Sequence, residues 1–474
     1  PILLCAQSVL YVNQAASGAD NGTSWADAFT DVQTAINNAC DIFPTPDVWV
    51  AAGTYLPYEP HGGVGDRYNT FYISCDVKIY GGFDGSEASL SERDWEANVT
   101  TLSGDIGTPG NNSDNVFHVV WIDHVSGIMT LDGFTVTGGK AEGGGTDFRG
   151  GGIYNNGAGN GGDSHPTIAN CTITGNSAAS GGGMFNIAEN GGSASPSLAN
   201  CTFTNNNGGN GGGFFNFGWN GVANPTFTTC TFSGNNAGYG SQGGAVHNYA
   251  NGGGSAANPV FTNCSFLNNS INAGSGGAVF NNADEANGIA NPTFDNCSFI
   301  GNGGWNGGAG GAVYNTSARN NFCFPGGVAN PTFSNCLFSG NYTGNEGGAI
   351  RNYQANCAAY SNPTFTNCSF VGNYASVNGV MLNSTGFPIF KNCILWGNNS
   401  GIADNFGGST TVTYSIVEGG YAGTGNLNAD PLFVTAPGAP PSSSGDLHLQ
   451  AASPAIDAGT ASGAPANDLD DFPR

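Results

Sequence analysis

The residues best suited to acid–base chemistry are few, and they lie in the second half of the chain. Arg351 stands where other units of a repeat carry aromatic or aliphatic residues, which makes it the best single candidate for a general base. Asp284 and Glu285 are the only adjacent carboxylates in the repeated region, and such a pair could share acid and base roles. The other acids of the repeated region are mostly single and lie in loops. We therefore interpret Arg351, and His247 in the same column, as surface side chains and expect no catalytic site.

Carboxylates cluster in two places that could supply the oxygen ligands preferred by calcium. These are the C-terminal set of Asp468, Asp470 and Asp471 and the loop of Asp105 and Asp114. Asp147 and Arg149, with Glu142, lie in a Gly-rich loop that could bind an ion, and we expect that it does not. None follows the spacing of an EF-hand or of a nonapeptide calcium repeat. We interpret these acids as solubilising charges. Calcium is the one cofactor that the sequence suggests.

Large aromatic residues outside the repeated positions are candidates for a binding surface. Trp219, Trp305 and Tyr239 would project from the flanks of the molecule. Such side chains combine a large apolar surface with a polar group, which suits them to recognition. We expect these three residues to bind glycans or partner proteins.

The composition excludes several classes of protein. The 474 residues include 9 basic and 33 acidic residues, which gives a net charge of −24, and only 9% of the residues are charged. So few cations argue against nucleic-acid binding, which needs clustered contacts to phosphates. With 79 glycines the chain is a poor helix former. It contains no apolar run long enough for a transmembrane helix.

A unit of about 32 residues repeats eight times between residues 150 and 400. One element combines two glycines, a small residue and two apolar residues with a closing Asn: Asn155, Asn186, Asn216, Asn248, Asn281, Asn315, Asn352 and Asn383. A second element contains a Cys: Cys171, Cys201, Cys230, Cys264, Cys297, Cys336, Cys368 and Cys393. An Asn follows each Cys at a fixed distance: Asn176, Asn206, Asn235, Asn269, Asn302, Asn341, Asn373 and Asn398. A low-complexity coil does not keep such spacing.

The repeat predicts an all-β fold, a right-handed parallel β-helix. Each unit holds three short segments with the alternation of a half-buried strand, separated by residues that tolerate sharp corners. Strands of successive units would stack about 4.8 Å apart. Two Phe columns would then form aromatic ladders inside the tube, and the Asn columns would form amide ladders at its corners. Stacked identical charges would repel, which explains the low charge content of the repeat.

Twelve of the 13 cysteines fall into two groups, and Cys5 lies in the N-terminal segment 1–6. We interpret the column of eight as small buried residues, because parallel neighbours in a stack are poorly oriented for disulfides. Cys40 and Cys75, and likewise Cys323 and Cys357, could form disulfides, which would fit an oxidising compartment outside the cytoplasm.

The two ends differ from the repeat and define the predicted organisation. Residues 1–6 resemble the end of a signal peptide, although this segment could equally belong to a first strand. Residues 7–149 would form the N-terminal cap and first coils, in which a helix and a strand cover the apolar end of the tube. The repeat block spans 150–400, and 401–474 would hold terminal coils and a C-terminal cap.

Several motifs resemble those of the pectate-lyase-like family of β-helix proteins, in particular bacterial surface proteins with parallel β-helix repeats. They include the opening segment 11–55, Gly81–Glu87, Leu131–Val136 and Ser453–Gly459. The repeat units also resemble those of polymorphic outer-membrane proteins. The resemblance implies an exported protein, and an anchor or secretion domain that follows the helix in such relatives.

These observations favour a secreted or cell-surface structural or adhesive solenoid. It would bind glycans or other surface proteins and carry out no catalysis. Two alternatives remain open at this stage. One is a polysaccharide lyase or glycoside hydrolase in which Arg351, Asp284 and Glu285 converge, and the other is a subunit that assembles itself into extracellular filaments.

Overall fold

The protein is a parallel β-solenoid, as the repeat predicts. The computed structural model describes residues 9–284, 287–317, 327–353, 361–405 and 407–470. Glu285, Cys323, Cys357, Asp471 and the possible signal-peptide remnant lie outside these residues. Four parallel sheets run along the solenoid, and each coil visits sheet 3, sheet 1, sheet 2 and sheet 4 in turn.

Sheets 1 and 2 form two adjoining walls. Sheet 1 has 13 strands: Val9–Val12, Asp47–Ala51, Lys78–Phe83, Thr130–Asp132, Thr167–Ala169, Ser197–Ala199, Thr226–Thr228, Val260–Thr262, Thr293–Asp295, Thr332–Ser334, Thr364–Thr366, Ile389–Lys391 and Thr411–Thr413. Sheet 2 has 12: Gly53–Tyr55, Thr100–Ser103, Phe134–Thr137, Thr172–Thr174, Thr202–Thr204, Thr231–Ser233, Ser265–Leu267, Ser298–Ile300, Leu337–Ser339, Ser369–Val371, Ile394–Trp396 and Ile416–Val417.

Sheets 3 and 4 complete the coil. Sheet 3 has 11 strands: Phe71–Ile73, Val120–Asp123, Ile153–Asn156, Met184–Glu189, Phe214–Trp219, Val246–Asn251, Val279–Asp284, Val313–Thr316, Ile350–Tyr353, Met381–Ser384 and Ile402–Asn405. Sheet 4 has eight: Lys140–Ala141, Ser177–Ser180, Asn207–Asn210, Asn236–Gln242, Ser270–Asn272, Gly303–Gly304, Tyr342–Glu346 and Tyr374–Val377. The sequence predicted three strands per unit. Sheet 4 is the additional one, built largely from Gly, Ser and Asn.

Short elements accompany the four sheets. Asp163–Ser164 pairs with Ser193–Ala194, and Phe433–Thr435 pairs antiparallel with Asp446–Leu449. Two 3₁₀ turns span Asp66–Tyr68 and Leu90–Glu92.

The predicted N-terminal cap contains the helix Val32–Cys40. Asp31 caps its first turn by accepting a hydrogen bond from the Thr34 amide at 2.7 Å. Its apolar face joins the core of the tube, so the end of the tube is covered. Cys40 at the end of the helix forms a disulfide with Cys75, at a Cα–Cα distance of 5.8 Å. In the described part of the chain, no helix is both long and apolar enough to cross a membrane.

Two Phe columns fill the tube in the repeat block. Phe261 stacks on Phe294 with ring centroids 4.8 Å apart, and Phe266 stacks on Phe299 at 4.7 Å. The same arrangement extends from Phe203 to Phe370 and from Phe227 to Phe390. These spacings equal the distance between neighbouring strands, so the rings repeat with the backbone.

The predicted amide ladder follows the second Asn column. Asn269 Nδ2 donates to Asn302 Oδ1 and to the Phe232 carbonyl, both at 2.9 Å. Its Oδ1 accepts from the amide nitrogen and the side chain of Asn235, both at 3.0 Å. Each buried amide therefore has its hydrogen bonds satisfied within the ladder, which continues from Asn176 to Asn398.

The corner between sheets 1 and 2 explains the Asn that precedes seven of the eight column cysteines, and Thr229 takes the same left-handed conformation before Cys230, with φ of 55°. Asn263 and Asn296, for example, have φ of 55° and 56°, a left-handed conformation that Asn adopts more readily than most residues. The following Cys points inward and is at most 2% exposed throughout the column. Cys264 Sγ lies 3.3 Å from the Thr262 carbonyl oxygen, a thiol–carbonyl contact that recurs in the column.

The C-terminal region leaves the stack beyond sheet 2 and runs back along its outside. The Ser442 amide donates to the Gly372 carbonyl at 2.9 Å, and Asn335 Nδ2 donates to the Asn467 carbonyl at 3.0 Å. We name residues 430–470 the strap. Ser339 and Val371 point outward from sheet 2 yet are buried, consistent with the strap lying over these coils.

Replacing Asn269 with Ala should destabilise the protein by about 3 kcal/mol, because it leaves buried groups of Asn235 and Phe232 without partners. The control is Asn272→Ala, which removes only an exposed side-chain bond to Asn306 and should change stability by less than about 0.5 kcal/mol. Urea unfolding followed by circular dichroism measures both. Equal effects of the two variants would show that the ladder contributes nothing specific.

The eight column thiols should resist alkylation while the protein is folded. All eight are at most 2% exposed, so the reagent cannot reach them, and burial raises the pKa of Cys171 to about 12. Peptide mass spectrometry after iodoacetamide treatment at pH 8 should find these cysteines unmodified in the native protein and modified in guanidinium. Labelling of the native column would contradict this packing.

Candidate functional site

The outer face of sheet 3 gathers aromatic and polar side chains along the solenoid. In each strand the first apolar residue points into the tube and the next points outward. The outward residues align in parallel register as one column: Tyr72, Trp121, Tyr154, Phe185, Phe215, His247, Phe280, Tyr314, Arg351 and Leu382. The residues two and four positions further along each strand also point outward. We name the surface formed by this column and those positions the outer face.

Most of the first column is buried by stacking and by the junction with sheet 4. Trp121 and Tyr154 have ring centroids 4.6 Å apart, and Phe185 and Phe215 lie 5.1 Å apart. Further along each strand the side chains become accessible. A strip of exposed or half-exposed residues results: Tyr72, Asp123, Asn156, Glu189, Trp219, Tyr249, Asn251, Tyr314 and Tyr353. These residues lie on the first nine strands of sheet 3, and at about 4.8 Å per strand the strip is about 40 Å long.

Arg351 is not the solvated residue expected from the sequence. It is 5% exposed, and its Nε donates to Glu346 Oε2 at 2.8 Å. Its Nη1 donates to the Asn352 and Leu382 carbonyls and to Ser384 Oγ, at 2.8–3.2 Å. The surface interpretation was wrong because the outward position lies in the covered junction between sheets 3 and 4. These bonds hold the guanidinium as a structural cation.

The other candidates for acid–base chemistry do not converge with Arg351. Asp284 ends a strand two coils away, is buried, and accepts a hydrogen bond from the Tyr249 hydroxyl at 2.8 Å. His247 was also expected at the surface and is only 3% exposed, packed edge-on against Phe215 and Phe280. Both residues line the outer face.

The three aromatic binding candidates lie on two different sheets. Trp219 is 41% exposed on the outer face, beside Phe217. Tyr239 and Trp305 are 82% and 55% exposed, in or next to sheet 4. Trp305 packs against Tyr342. Of these three residues, Trp219 alone therefore belongs to the strip.

The acidic clusters use their oxygens within the protein. Asp105 accepts from the Gly110 amide, and Asp114 accepts from the Thr108 amide. Asp470 lies 3.2 Å from His448 Nε2. Among the described residues no group of three or more His, Cys, Asp or Glu side chains is arranged to hold a metal ion. Calcium binding at Asp468 and Asp470 stays a prediction.

The sequence interpretation missed a cluster at the N-terminal end of the outer face. Asp123 accepts hydrogen bonds from the Tyr72 hydroxyl at 2.9 Å and from Asn156 Nδ2 at 2.8 Å. His124 Nδ1 lies 2.7 Å from Asp123, and its Nε2 lies 2.8 Å from the Ala158 carbonyl. Since both partners are acceptors, these contacts favour the doubly protonated ring. Burial lowers the pKa of His124, but the Ala158 and Asp123 bonds outweigh it and raise the pKa.

Histidine and tryptophan form the buried part of this cluster. His61 stacks on Tyr72 with ring centroids 3.9 Å apart and meets Trp121 edge-on at 4.7 Å. His118 packs against Trp121 at 5.1 Å and is 5% exposed. Burial lowers the pKa of His118 to about 4, so this ring is neutral near pH 7. The sequence did hold one indication of this cluster, because four of its six histidines lie before residue 166.

Comparison with known proteins identifies no family for this chain. No protein-family model matches the chain, and no curated protein matches it. Among solved structures it resembles pectate lyase Pel9A, with 14% identity, a TM-score of 0.45, and coverage of 98% of this chain and 96% of that chain. It also resembles PfbA, a surface adhesin of Streptococcus pneumoniae, with 12% identity, a TM-score of 0.30, and coverage of 81% and 89%.

A third resemblance is to the catalytic unit of a GH87 alpha-1,3-glucanase from Streptomyces thermodiastaticus. The identity is 14%, the TM-score is 0.43, and the alignment covers 84% of this chain and 65% of that chain. The chain is a parallel β-solenoid, and its structural neighbours are pectate-lyase-like parallel β-helix proteins. At these identities the likeness concerns the fold alone.

Protonation of His118 should destabilise the protein as the pH falls. Its folded pKa lies below the ordinary value of 6.5, so its contribution is present above pH 6.5 and is lost toward pH 4. The loss could reach about 3 kcal/mol. His61 and Asp147 also act on this ring through their charges, and Arg149 acts on it through its backbone. The measurement is therefore the difference between wild type and His118→Gln in urea unfolding from pH 7 to pH 4. A constant difference would contradict burial of a neutral ring.

Proposed function

We propose that the protein is a secreted or cell-surface solenoid that binds glycan chains along its outer face, in a structural or adhesive role. The observation that carries the proposal is the strip of accessible aromatic, amide and carboxylate side chains, about 40 Å long. Aromatic faces suit the apolar faces of sugar rings, and amides and carboxylates suit their hydroxyl groups. A long strip would accept several consecutive sugars.

The scaffold supports this proposal because it presents the strip rigidly. The Asn176–Asn398 ladder and the stacked Phe columns fix each strand against the next. Binding to a surface that is already ordered loses little conformational entropy. The strip should therefore bind an extended chain without rearranging.

One further feature supports a location outside the cytoplasm, and the net charge bears on solubility. The disulfide between Cys40 and Cys75 fits an oxidising compartment. The −24 net charge keeps a rod-like protein soluble and disfavours unspecific self-association.

The enzymatic alternative and the filament alternative predict different results. An active lyase or hydrolase would shorten a bound polysaccharide, which reducing-end assays and absorbance of unsaturated products detect. A filament subunit would form end-to-end fibres visible by electron microscopy. Either result would replace the adhesive role proposed here.

Replacing Trp219 with Ala should weaken glycan binding about tenfold, as expected for an exposed aromatic contact in the middle of the strip. Trp305→Ala is the matched control, since Trp305 is similarly exposed but lies outside the strip. A glycan array would identify ligands, and titration calorimetry would compare the variants. Loss of binding in the Trp305 variant alone would move the site to sheet 4.

A further inference from the structure

Two buried nitrogen atoms lack hydrogen-bond partners at the N-terminal end of the outer face. They are Trp121 Nε1 and His118 Nε2, on side chains that are 7% and 5% exposed. Their rings are in contact, with centroids 5.1 Å apart. An unsatisfied buried polar atom costs about 1–3 kcal/mol, so two neighbouring ones indicate a group that binds between or beside them.

The chemistry of the two nitrogens defines that group. His118 Nδ1 lies 3.0 Å from the Gly150 carbonyl oxygen, which can only accept, so Nδ1 carries the proton. His118 Nε2 is then an acceptor, while the indole nitrogen of Trp121 is a donor. A hydroxyl group can donate to the first and accept from the second. A carboxylate could satisfy only Trp121.

The surrounding charges favour a neutral ligand. Asp123 lies in the same cluster and Asp147 acts electrostatically on His118, so two carboxylates outnumber the guanidinium of Arg149, which acts on the neighbouring Tyr154. His118 itself is neutral near pH 7 because burial lowers its pKa to about 4. An anionic sugar would therefore meet carboxylates close to the two nitrogens, whereas a neutral sugar would not.

A hairpin covers the cluster. Pro60 pairs with Asn69, and the His61 amide donates to the Tyr68 carbonyl at 2.9 Å. Arg67 fixes the base of this hairpin through Asn115, the Phe117 ring and Glu142. We name residues 60–69 the His61 hairpin.

The tip of the His61 hairpin is free to adapt. Val64 is 96% exposed between glycines, and Gly62 and Gly65 have φ of 79° and 113°. His61 lies over Tyr72 and Trp121. Rotation of the His61 side chain would lift its ring from Trp121 while the His61–Tyr68 backbone bond and the anchored base stay in place.

We propose that the His61 hairpin closes over one neutral sugar residue, whose hydroxyl groups hydrogen-bond Trp121 Nε1 and His118 Nε2. The site would hold one end of the glycan chain that lies along the outer face, so this inference rests on the proposed function. It assigns to that function a substrate class, neutral sugars rather than uronates.

The test uses the full chain and four probes: cellotetraose, xylotetraose, mannotetraose and tetragalacturonate. The indole N–H resonance of Trp121, assigned with Trp121→Phe, should shift with at least one neutral tetrasaccharide and not with tetragalacturonate. Trp121→Phe and His118→Asn should each weaken that binding about tenfold, the effect of one lost hydrogen bond. Trp305→Phe is the control and should bind as wild type. Circular dichroism checks that each variant is folded.

Three outcomes would overturn the inference. In the first, neutral tetrasaccharides bind in a Trp219-dependent manner, but the Trp121 resonance does not shift and Trp121→Phe binds them as tightly as wild type. Water then fills the site, and the proposed function still stands. If tetragalacturonate shifts the Trp121 resonance most strongly, the assigned sugar class is wrong. If no glycan binds in the array or in solution, the proposed function and this inference both fail.

Discussion

In-register stacking at the distance between neighbouring strands is the constraint on which the whole molecule depends. At about 4.8 Å a ring can stack on the identical ring of the next coil, and an amide can hydrogen-bond to the identical amide. A charge at such a position would be repelled by the identical charge of the next coil. Asn269, with bonds both to neighbouring ladder members and to the Phe232 carbonyl, shows how completely such a position can be satisfied. The residues that repeat are therefore Phe, Asn, Cys, Gly and Thr, and variation is left to positions outside the tube.

This constraint separates scaffold from surface within a single strand. In Phe214–Trp219, Phe214 points into the tube, Asn216 belongs to the inner Asn column, and Trp219 reaches solvent. The outward positions do not have to match from coil to coil, which is why one column can contain Tyr154, His247 and Arg351. A binding strip can thus diversify without disturbing the ladders that hold it.

The sequence predicted the parts of the fold that repeat and little of the candidate site. The Asn176 ladder, the Phe columns and the helical cap follow from spacing alone. A further ladder is formed by Asn residues that precede Pro. Asn258 Oδ1 accepts from the backbone N–H of Asn291, and the backbone N–H of Asn258 donates to Asn224 Oδ1. This ladder was overlooked because an Asn before Pro resembles a turn residue. Sheet 4 was overlooked because Gly, Ser and Asn do not indicate strands. Burial of Arg351 depends on the angle between two sheets, which periodicity does not report.

The strap has a mechanical consequence for a rod of this kind. It returns from the last coil toward Asn335 and is bonded there, at Gly372 and at Asn392, so it crosses several coils rather than extending the stack. If the end of the described chain were pulled, the force would first reach the coil of Asn335. It would act there as shear between that coil and the strap. The terminal coils would be bypassed by that load, so they would not be peeled away one strand at a time.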